Sequence, residues 1–184
     1  MKVINLYGGP GVGKSTTAAG IYVELKKMGV NVELRTEYAK DLLYEQREAV
    51  LKSDQLYILA KQHRRLFTLK DKGLDYVITD SPILLSTIYN TMIEEPLKIE
   101  TFNDLVLDLY SRYDNIDIFI ERNLKEFGYN PNGRTQTDVE EAKKIDEHVV
   151  KMLKDFNIRF TSIKNNKKIT DKIIEIILSE RLSS

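Results

Sequence analysis

Nine consecutive residues, GGPGVGKST at positions 8–16, contain the pattern G-x-x-x-x-G-K-[ST] without a gap. Glycines let consecutive main-chain N–H groups turn toward one point, and the N-terminus of a following helix adds a positive end. In this pattern Lys14 reaches the β- and γ-phosphates of a nucleoside triphosphate, and the Ser15 hydroxyl binds Mg²⁺. The sequence therefore predicts a phosphate-binding P-loop formed by Gly8, Gly9, Pro10, Gly11, Val12, Gly13, Lys14, Ser15 and Thr16.

A second candidate magnesium ligand follows a later apolar run. The segment YVITDSP places Asp80 at the C-terminal end of a predicted strand, where ligands of α/β sheets gather. A motor ATPase would usually have a glutamate directly after this aspartate, but the residue is Ser81. A GTPase would have N-K-x-D, and the nearest segment, NNKKI, ends in isoleucine. Both classes are therefore disfavoured relative to a phosphotransferase.

A phosphotransferase needs a carboxylate near the acceptor and cationic side chains over the phosphates. Glu37, in LRTEYAKD, follows the second predicted strand and is placed to accept the proton of an acceptor hydroxyl or to hold its sugar. Arg122 follows the fourth strand, and Arg134 lies in YNPNGRTQT beyond a glycine- and asparagine-rich break. We predict that a loop carrying Arg134 closes on the triphosphate and stabilises transition-state charge.

The predicted helix LYILAKQHRRLF contains Gln62 and Arg65, which lie three residues apart on one face. This pair suits a base edge and an anion, and an exposed basic helix face is an equally good interpretation. The two histidines, His63 and His148, and the lack of cysteine disfavour a His or Cys metal site, which leaves Mg²⁺ held by oxygen.

Composition limits the class of protein. The chain has 184 residues, enough for one α/β domain, and 28 basic residues balance 28 acidic ones. Zero net charge gives no global attraction to nucleic acid or to membranes. No apolar run approaches the length of a membrane helix, and the chain enters a predicted strand directly, so we expect a cytoplasmic protein without a membrane partner.

Short apolar runs alternate with helical patterns, which predicts an α/β fold with a five-stranded parallel sheet and helices on both faces. The predicted strands are Val3–Tyr7, Asn31–Arg35, Tyr76–Asp80, Asp117–Glu121 and Arg159–Ile163. The predicted helices are Lys14–Met28, Ser53–Lys72, Ile83–Met92, Phe102–Tyr113, Asp138–Phe156 and Asp171–Leu182. Thr137 and Glu140 form a capping-box pattern for the fifth helix.

The order of these motifs resembles the nucleoside and nucleotide kinases of the thymidylate-kinase group. The segments TEYAKDLL, VITDSPILL and NPNGRTQT are similar to small phage-type P-loop kinases, which are related to the nicotinamide-riboside kinase domain of bacterial NAD regulators. The resemblance covers about residues 3–178. It implies that Glu37 is the base or sugar ligand, that Arg122 and Arg134 are lid arginines, and that adenine lies near residues 164–168.

The sequence also departs from these relatives. Thymidylate kinases have aspartate–arginine after the third strand and deoxynucleoside kinases have glutamate–arginine–serine, whereas this chain has Asp80, Ser81 and Pro82. The missing arginine disfavours a nucleoside monophosphate as acceptor. One branch of the phage-type relatives is thought to phosphorylate hydroxymethyluracil in DNA, and the basic residues of the 61–72 segment would suit a DNA backbone.

The resulting hypothesis is a single P-loop kinase domain, residues 1–184, with a lid at about residues 123–137. It transfers a phosphoryl group from ATP, with Mg²⁺, to a hydroxyl of a nucleoside, nucleotide or nucleobase-like acceptor. The alternatives are a kinase of a modified base in phage DNA, active in the host cytoplasm, and an ATPase switch without a small-molecule acceptor. Kinases of this shape often pair as homodimers through helices flanking the sheet, although no face is marked for pairing in the sequence.

Overall fold

The protein is described by a computed structural model that covers residues 1–129 and 138–182. The strands in this part of the chain are β1 (Lys2–Tyr7), β2 (Val32–Arg35), β3 (Tyr76–Thr79), β4 (Asp114–Glu121) and β5 (Thr161–Lys164). The helices are α1 (Lys14–Lys27), α2 (Tyr38–Tyr44), α3 (Glu48–Ser53), α4 (Gln55–Phe67), α5 (Leu85–Asn90), α6 (Ile99–Ser111), α7 (Val139–Asp155) and α8 (Ile169–Leu182). All five predicted strands are present, with small shifts at their ends.

The five strands form one parallel sheet in the order β2-β3-β1-β4-β5. Because β1 lies in the centre, the segment that follows it lies between the segments that follow β3 and β4. In the register, Asn5 of β1 pairs with Thr79 of β3 and with Asp117 of β4. The segments after all five strands therefore meet at one edge of the sheet, which is the edge where α/β proteins bind ligands.

Helices cover both faces of the sheet, as predicted. On one face, α1 and α8 pack against alternate strand residues such as Ile4, Leu6 and Ile118, which have no exposed surface. On the other face, α4, α5, α6 and α7 pack against Val3, Tyr7 and further residues of the same strands. The period-2 alternation of strand side chains thus supplies two apolar layers, and burial of these layers positions the ligand-binding edge.

Two short helices, α2 and α3, were not predicted, and the second predicted helix was too long at its C-terminus. The chain beyond Phe67 tightens into i→i+3 turns, including Leu69 N–H to the Leu66 carbonyl at 2.9 Å. Gly73 ends this stretch with φ 71°.

The predicted cap of the fifth helix was one residue too early. Asp138 is the N-cap of α7 and accepts a hydrogen bond from Glu140 N–H at 3.0 Å, while Thr137 lies outside the described residues.

None of the helices in the described ranges is long and apolar enough to cross a membrane.

A polar cluster is buried between β1, β4 and α6. The Asp117 carboxylate is 7 % exposed and accepts hydrogen bonds from the Tyr110 hydroxyl at 2.6 Å and from Asn5 Nδ2 at 3.0 Å. Burial raises the pKa of Asp117 above its ordinary value, and the hydrogen bonds from Tyr110 and Asn5 only partly oppose this shift. The folded protein therefore binds the carboxyl proton more tightly than the unfolded chain does.

Asp117→Asn is expected to raise the melting temperature at pH 8 and to lose this advantage near pH 4. A raised pKa means that the anion costs stability in the folded protein, and this cost disappears as pH falls below the unfolded pKa of about 3.9. Thermal unfolding at both pH values measures the effect. Asp114→Asn is the matched control, because the Asp114 side chain is 64 % exposed on the same strand. A lower melting temperature of Asp117→Asn at both pH values would contradict this expectation.

Candidate active site

The P-loop, residues 8–16, connects the central strand β1 to α1 at the ligand-binding edge. Gly8, Gly11 and Gly13 have φ values of 136°, 75° and 100°, which residues with a Cβ rarely adopt. Gly13 is the N-cap of α1 and provides no side-chain cap for the first turn. The N-terminal N–H groups of α1 therefore form an anion-binding end, with the exposed Ser15 and Thr16 on its first turn.

Donors from three parts of the chain hold the carbonyl groups of this loop. The Lys14 Nζ donates to the carbonyls of Gly8 and Gly9 at 2.7 and 3.0 Å. Other donors bind two further carbonyls: Arg122 Nη2 to Pro10 at 2.8 Å, and Asn165 Nδ2 to Val12 at 2.8 Å. Side chains thus bind the carbonyls of four residues of the loop, Gly8, Gly9, Pro10 and Val12, and so fix its main chain.

Three carboxylates from different parts of the fold act electrostatically on Lys14. Burial lowers the pKa of the Lys14 ammonium, while the charges of Glu37, Asp80 and Asp146 oppose this shift. Arg122 acts in the same direction as burial. The fold thus brings Lys14 within electrostatic reach of Glu37 and Asp80, both of which the sequence proposes as site residues.

The Asp80 carboxylate is suited to a metal ion. It lies at the end of β3 beside the P-loop strand, is 3 % exposed, and its Oδ1 has no hydrogen-bond partner within the described ranges. An unpaired buried oxygen of this kind is a suitable ligand for a hard cation. No group of three or more His, Asp or Glu side chains among the described residues forms a metal site. Asp80 thus offers a buried carboxylate oxygen at the ligand-binding edge, where the Ser15 hydroxyl of the P-loop is exposed, and both are oxygen ligands of the kind that Mg²⁺ prefers.

Glu37 is held at the start of α2, for which it is the N-cap residue. Its charge acts to raise the pKa of Lys14, against the larger effect of burial, and the pKa of Tyr89 of α5. Burial, and then the charge of Glu37, raise the pKa of Tyr89. Glu37 is thus within electrostatic reach of both the P-loop lysine and a tyrosine of α5.

Gln62 and Arg65 of α4 hold the segment that carries Glu37. Gln62 is 3 % exposed, and its Oε1 accepts a hydrogen bond from Tyr38 N–H at 3.0 Å. Its Nε2 is buried and has no partner among the residues described. Arg65 donates to the Thr36 carbonyl at 2.9 Å, pairs with the Asp41 carboxylate and lies 5.2 Å from the ring of Tyr38. Arg65 is thus engaged by protein groups, whereas Gln62 retains one donor for a ligand.

Of the two predicted lid arginines, the structure describes only Arg122. Arg122 is largely buried, and its Nε donates to Asp146 Oδ2 at 2.7 Å. Because its Nη2 donates to the Pro10 carbonyl, Arg122 contacts the main chain of the P-loop, and a direct role in stabilising charge is still a prediction. Arg134 lies outside the described residues.

Two residues at this edge were not singled out from the sequence. Asp146 of α7 accepts a hydrogen bond from Gly9 N–H, and Asn165, in the turn after β5, holds Val12. Asn165 also anchors the turn predicted to lie near adenine, because its carbonyl accepts from Asn123 Nδ2 at 2.8 Å. Each of these contacts joins residues more than forty positions apart in the chain. No local sequence pattern could therefore have indicated them.

Several solved structures share this fold. Deoxyadenosine kinase from M. mycoides with bound dCTP is 18% identical, with 99% of this chain and 100% of that chain covered at a TM-score of 0.56. The same enzyme with bound dATP gives 21% identity, the same coverage and a TM-score of 0.55. The NadR protein in complex with NAD and AMP-PNP is 15% identical at a TM-score of 0.57. The match covers 90% of this chain and 44% of the NadR chain. These similarities confirm the predicted α/β fold of the P-loop NTPase type, with a five-stranded parallel sheet.

No curated protein matches the chain. A sequence model of one family, described as AAA domain, matches residues 3–169, which is nearly the whole chain. The P-loop and the segments at the ends of β2, β3 and β4 all fall within this match. The protein therefore belongs to the AAA domain family.

Proposed function

We propose that this protein transfers the γ-phosphoryl group of ATP, bound with Mg²⁺, to a hydroxyl of a nucleoside-like acceptor. One observation carries the proposal: Glu37, which follows β2, is within electrostatic reach of the P-loop lysine, Lys14. A carboxylate in this position serves a transferase, because it can receive the proton that an acceptor hydroxyl loses.

The donor side of the proposal rests on the P-loop. The main-chain N–H groups and Lys14 would bind the phosphates, and Ser15 and Asp80 would hold Mg²⁺. The metal ion would supply neutralisation of charge on the phosphate oxygens. Lys14 would leave its present partners, the carbonyls of Gly8 and Gly9, for phosphate oxygens when ATP binds.

On the acceptor side, the hydroxyl oxygen forms a bond to the γ-phosphorus, its proton goes to Glu37, and ADP leaves. The unpaired Gln62 Nε2 would donate to an acceptor atom on a base or nicotinamide edge. The ligands of the structural neighbours, dCTP, dATP and NAD, suggest a deoxyribonucleoside or nicotinamide riboside as the acceptor class. Because Arg65 is held by Asp41 and Thr36, it would act by positioning α2 rather than by binding an acceptor phosphate.

The proposed domain and lid have the boundaries that were predicted from the sequence. Residues 1–184 would act as one kinase domain, and the segment of about residues 123–137 would close over the phosphates. Arg134 would then stabilise transition-state charge together with Arg122. Both arginines belong to the proposal because of their place in the sequence.

Release of ADP from ATP and Mg²⁺ tests the proposal directly. It would be measured alone and with deoxynucleosides, deoxynucleoside monophosphates, nicotinamide riboside or hydroxymethyluracil-containing DNA. We expect a free nucleoside to raise the rate, and chelation of Mg²⁺ to abolish the stimulation. Transfer of ³²P from labelled ATP to that nucleoside would identify the product.

Other outcomes would replace the proposal with a defined alternative. Stimulation only by the modified DNA, with a strong salt dependence, would indicate a kinase acting on DNA. The exposed basic residues Lys61, Arg64, Lys70 and Lys72 are available for such a substrate. A slow rate that no acceptor changes would indicate an ATPase switch.

A further inference from the structure

Asp146 connects helix α7 to the main chain of the P-loop. Its Oδ1 accepts a hydrogen bond from Gly9 N–H with a length of 2.5 Å, across 137 residues of sequence. A main-chain donor bound to a carboxylate makes a stronger hydrogen bond than a neutral pair does. The second residue of the P-loop is therefore held by a side chain that neither the motif nor the proposed reaction includes.

The same carboxylate also binds Arg122. Arg122 Nε donates to Asp146 Oδ2 at 2.7 Å, and Nη2 lies 3.3 Å from Oδ1. Nη2 also donates to the Pro10 carbonyl at 2.8 Å. The side chains of Arg122 and Asp146 are 8% and 15% exposed, so this ion pair is largely removed from solvent. The pair thus binds the N–H group of Gly9 and the carbonyl group of Pro10, two consecutive residues of the P-loop.

Helix α7 packs so closely against the P-loop that a side chain at position 9 would not fit. A Cβ built on Gly9 would lie 2.5 Å from the Ala142 carbonyl oxygen and 2.7 Å from Asp146 Oδ1. The first of these atoms belongs to the helix backbone, which cannot move aside by a rotamer change. The glycine at position 9 is therefore required by the close approach of α7.

From this geometry we propose that Asp146 is a positioning residue for nucleotide binding, acting by holding Gly9 and Arg122 so that the P-loop is preformed for phosphate. This inference rests on the proposed function. A loop already fixed in its binding conformation loses little entropy when the ligand arrives. Without Asp146 the P-loop would have to become ordered when ATP binds, and the entropy lost in this step would weaken the affinity for ATP.

The charge of Asp146 makes the proposal specific. A carboxylate beside a triphosphate site repels the ligand unless a cation neutralises it, and Arg122 is placed to do so. Removing only Arg122 leaves an unpaired carboxylate next to the P-loop, which is more costly than removing both charges. The effects of substitutions at the two positions should therefore be strongly non-additive.

The test is the dissociation constant for ATP·Mg²⁺, measured by calorimetry at a temperature where each variant is folded. We expect Asp146→Ala to weaken binding by about tenfold, the typical value of one charged hydrogen bond. Asp155→Asn is the matched control, because Asp155 pairs with Lys151 on the exposed face of the same helix. We expect its affinity to equal that of the wild type.

The double variant provides the sharper result. In the Arg122→Ala background, Asp146→Asn is expected to recover part of the lost affinity, although the same substitution weakens binding in the wild type. A purely structural role would lower the melting temperature of both single variants without this reversal of sign. Equal affinity of Asp146→Ala and the wild type would overturn the inference, whereas a wild type that fails to bind ATP would overturn the proposed function instead.

Amide hydrogen exchange of the wild type provides a measurement that needs no variant. The Gly9 amide should exchange slowly because it is bonded to a largely buried carboxylate. Gly128 is the internal reference, since it is exposed and a Cβ there would meet nothing within 4 Å. Exchange of Gly9 as fast as that of Gly128 would contradict the proposed contact.

Discussion

Replacing Lys14 with methionine is expected to reduce phosphoryl transfer by roughly a thousandfold, which corresponds to about 4 kcal/mol of transition-state stabilisation. Methionine has a similar length but no charge, so it cannot neutralise the phosphate oxygens. The Lys14 ammonium is placed for this role, because it lies at the carbonyls of Gly8 and Gly9 and within reach of Asp80. The measurement is the rate of ADP release at saturating acceptor, together with the dissociation constant for ATP.

A lysine on the same helix provides the control. Lys27 is in the last turn of α1, where its exposed Nζ pairs with Glu24 at 2.8 Å. Lys27→Met removes an equal charge far from the P-loop and should leave the rate within about twofold of the wild type, since exposed ion pairs contribute little. A Lys14→Met enzyme that retained a third of the wild-type rate would exclude the proposed role of Lys14.

Glu37→Gln is expected to lower kcat by a factor of about 10² to 10⁴, the range for loss of a general base. The amide keeps the size of the side chain but cannot accept a proton from the acceptor hydroxyl. Affinity for ATP should change little, because Glu37 is proposed to act on the acceptor. Steady-state kinetics with varied acceptor separate the two roles: loss of a base lowers kcat, whereas loss of a sugar ligand mainly raises KM.

The control for Glu37 is another glutamate close to it in the chain. Glu33 belongs to β2 and lies 3.8 Å from Arg35 and 3.9 Å from Lys26, away from the P-loop lysine. Glu33→Gln should keep both kinetic constants near those of the wild type. If Glu37→Gln did the same, the acceptor-side assignment would be lost, although ATP binding in the P-loop would still be possible.

The predictions for Lys14 and Glu37 concern one electrostatic arrangement. Glu37, Asp80 and Asp146 each act on the lysine, and they belong to three separate elements at the ligand-binding edge. Removal of the lysine charge therefore takes this cation away from Glu37 and Asp80, whereas Asp146 keeps its ion pair with Arg122. This is the physical reason to expect a larger loss for Lys14→Met than for a typical surface charge.

Features encoded in consecutive residues were predictable from the sequence. The P-loop is one example, because Gly8, Gly13, Lys14 and Ser15 need only fixed spacing and a strand–helix setting to bind phosphate. The alternating strands and longer helices are another, and they led to the parallel sheet that the structure contains. The short helices α2 and α3 were missed, since helices of six or seven residues depend on tertiary packing rather than on local preference.

Residue types were thus determined by the sequence, whereas their partners were decided by the tertiary structure. Both Arg65 and Arg122 were predicted near the site, but the fold pairs one with Asp41 and the other with Asp146. The contact of Gly9 with Asp146 joins positions 137 residues apart, and it depends on which face of α7 packs against the loop. Helix periodicity indicates that a face is buried but not which neighbour it meets, so packing alone established how the P-loop is held.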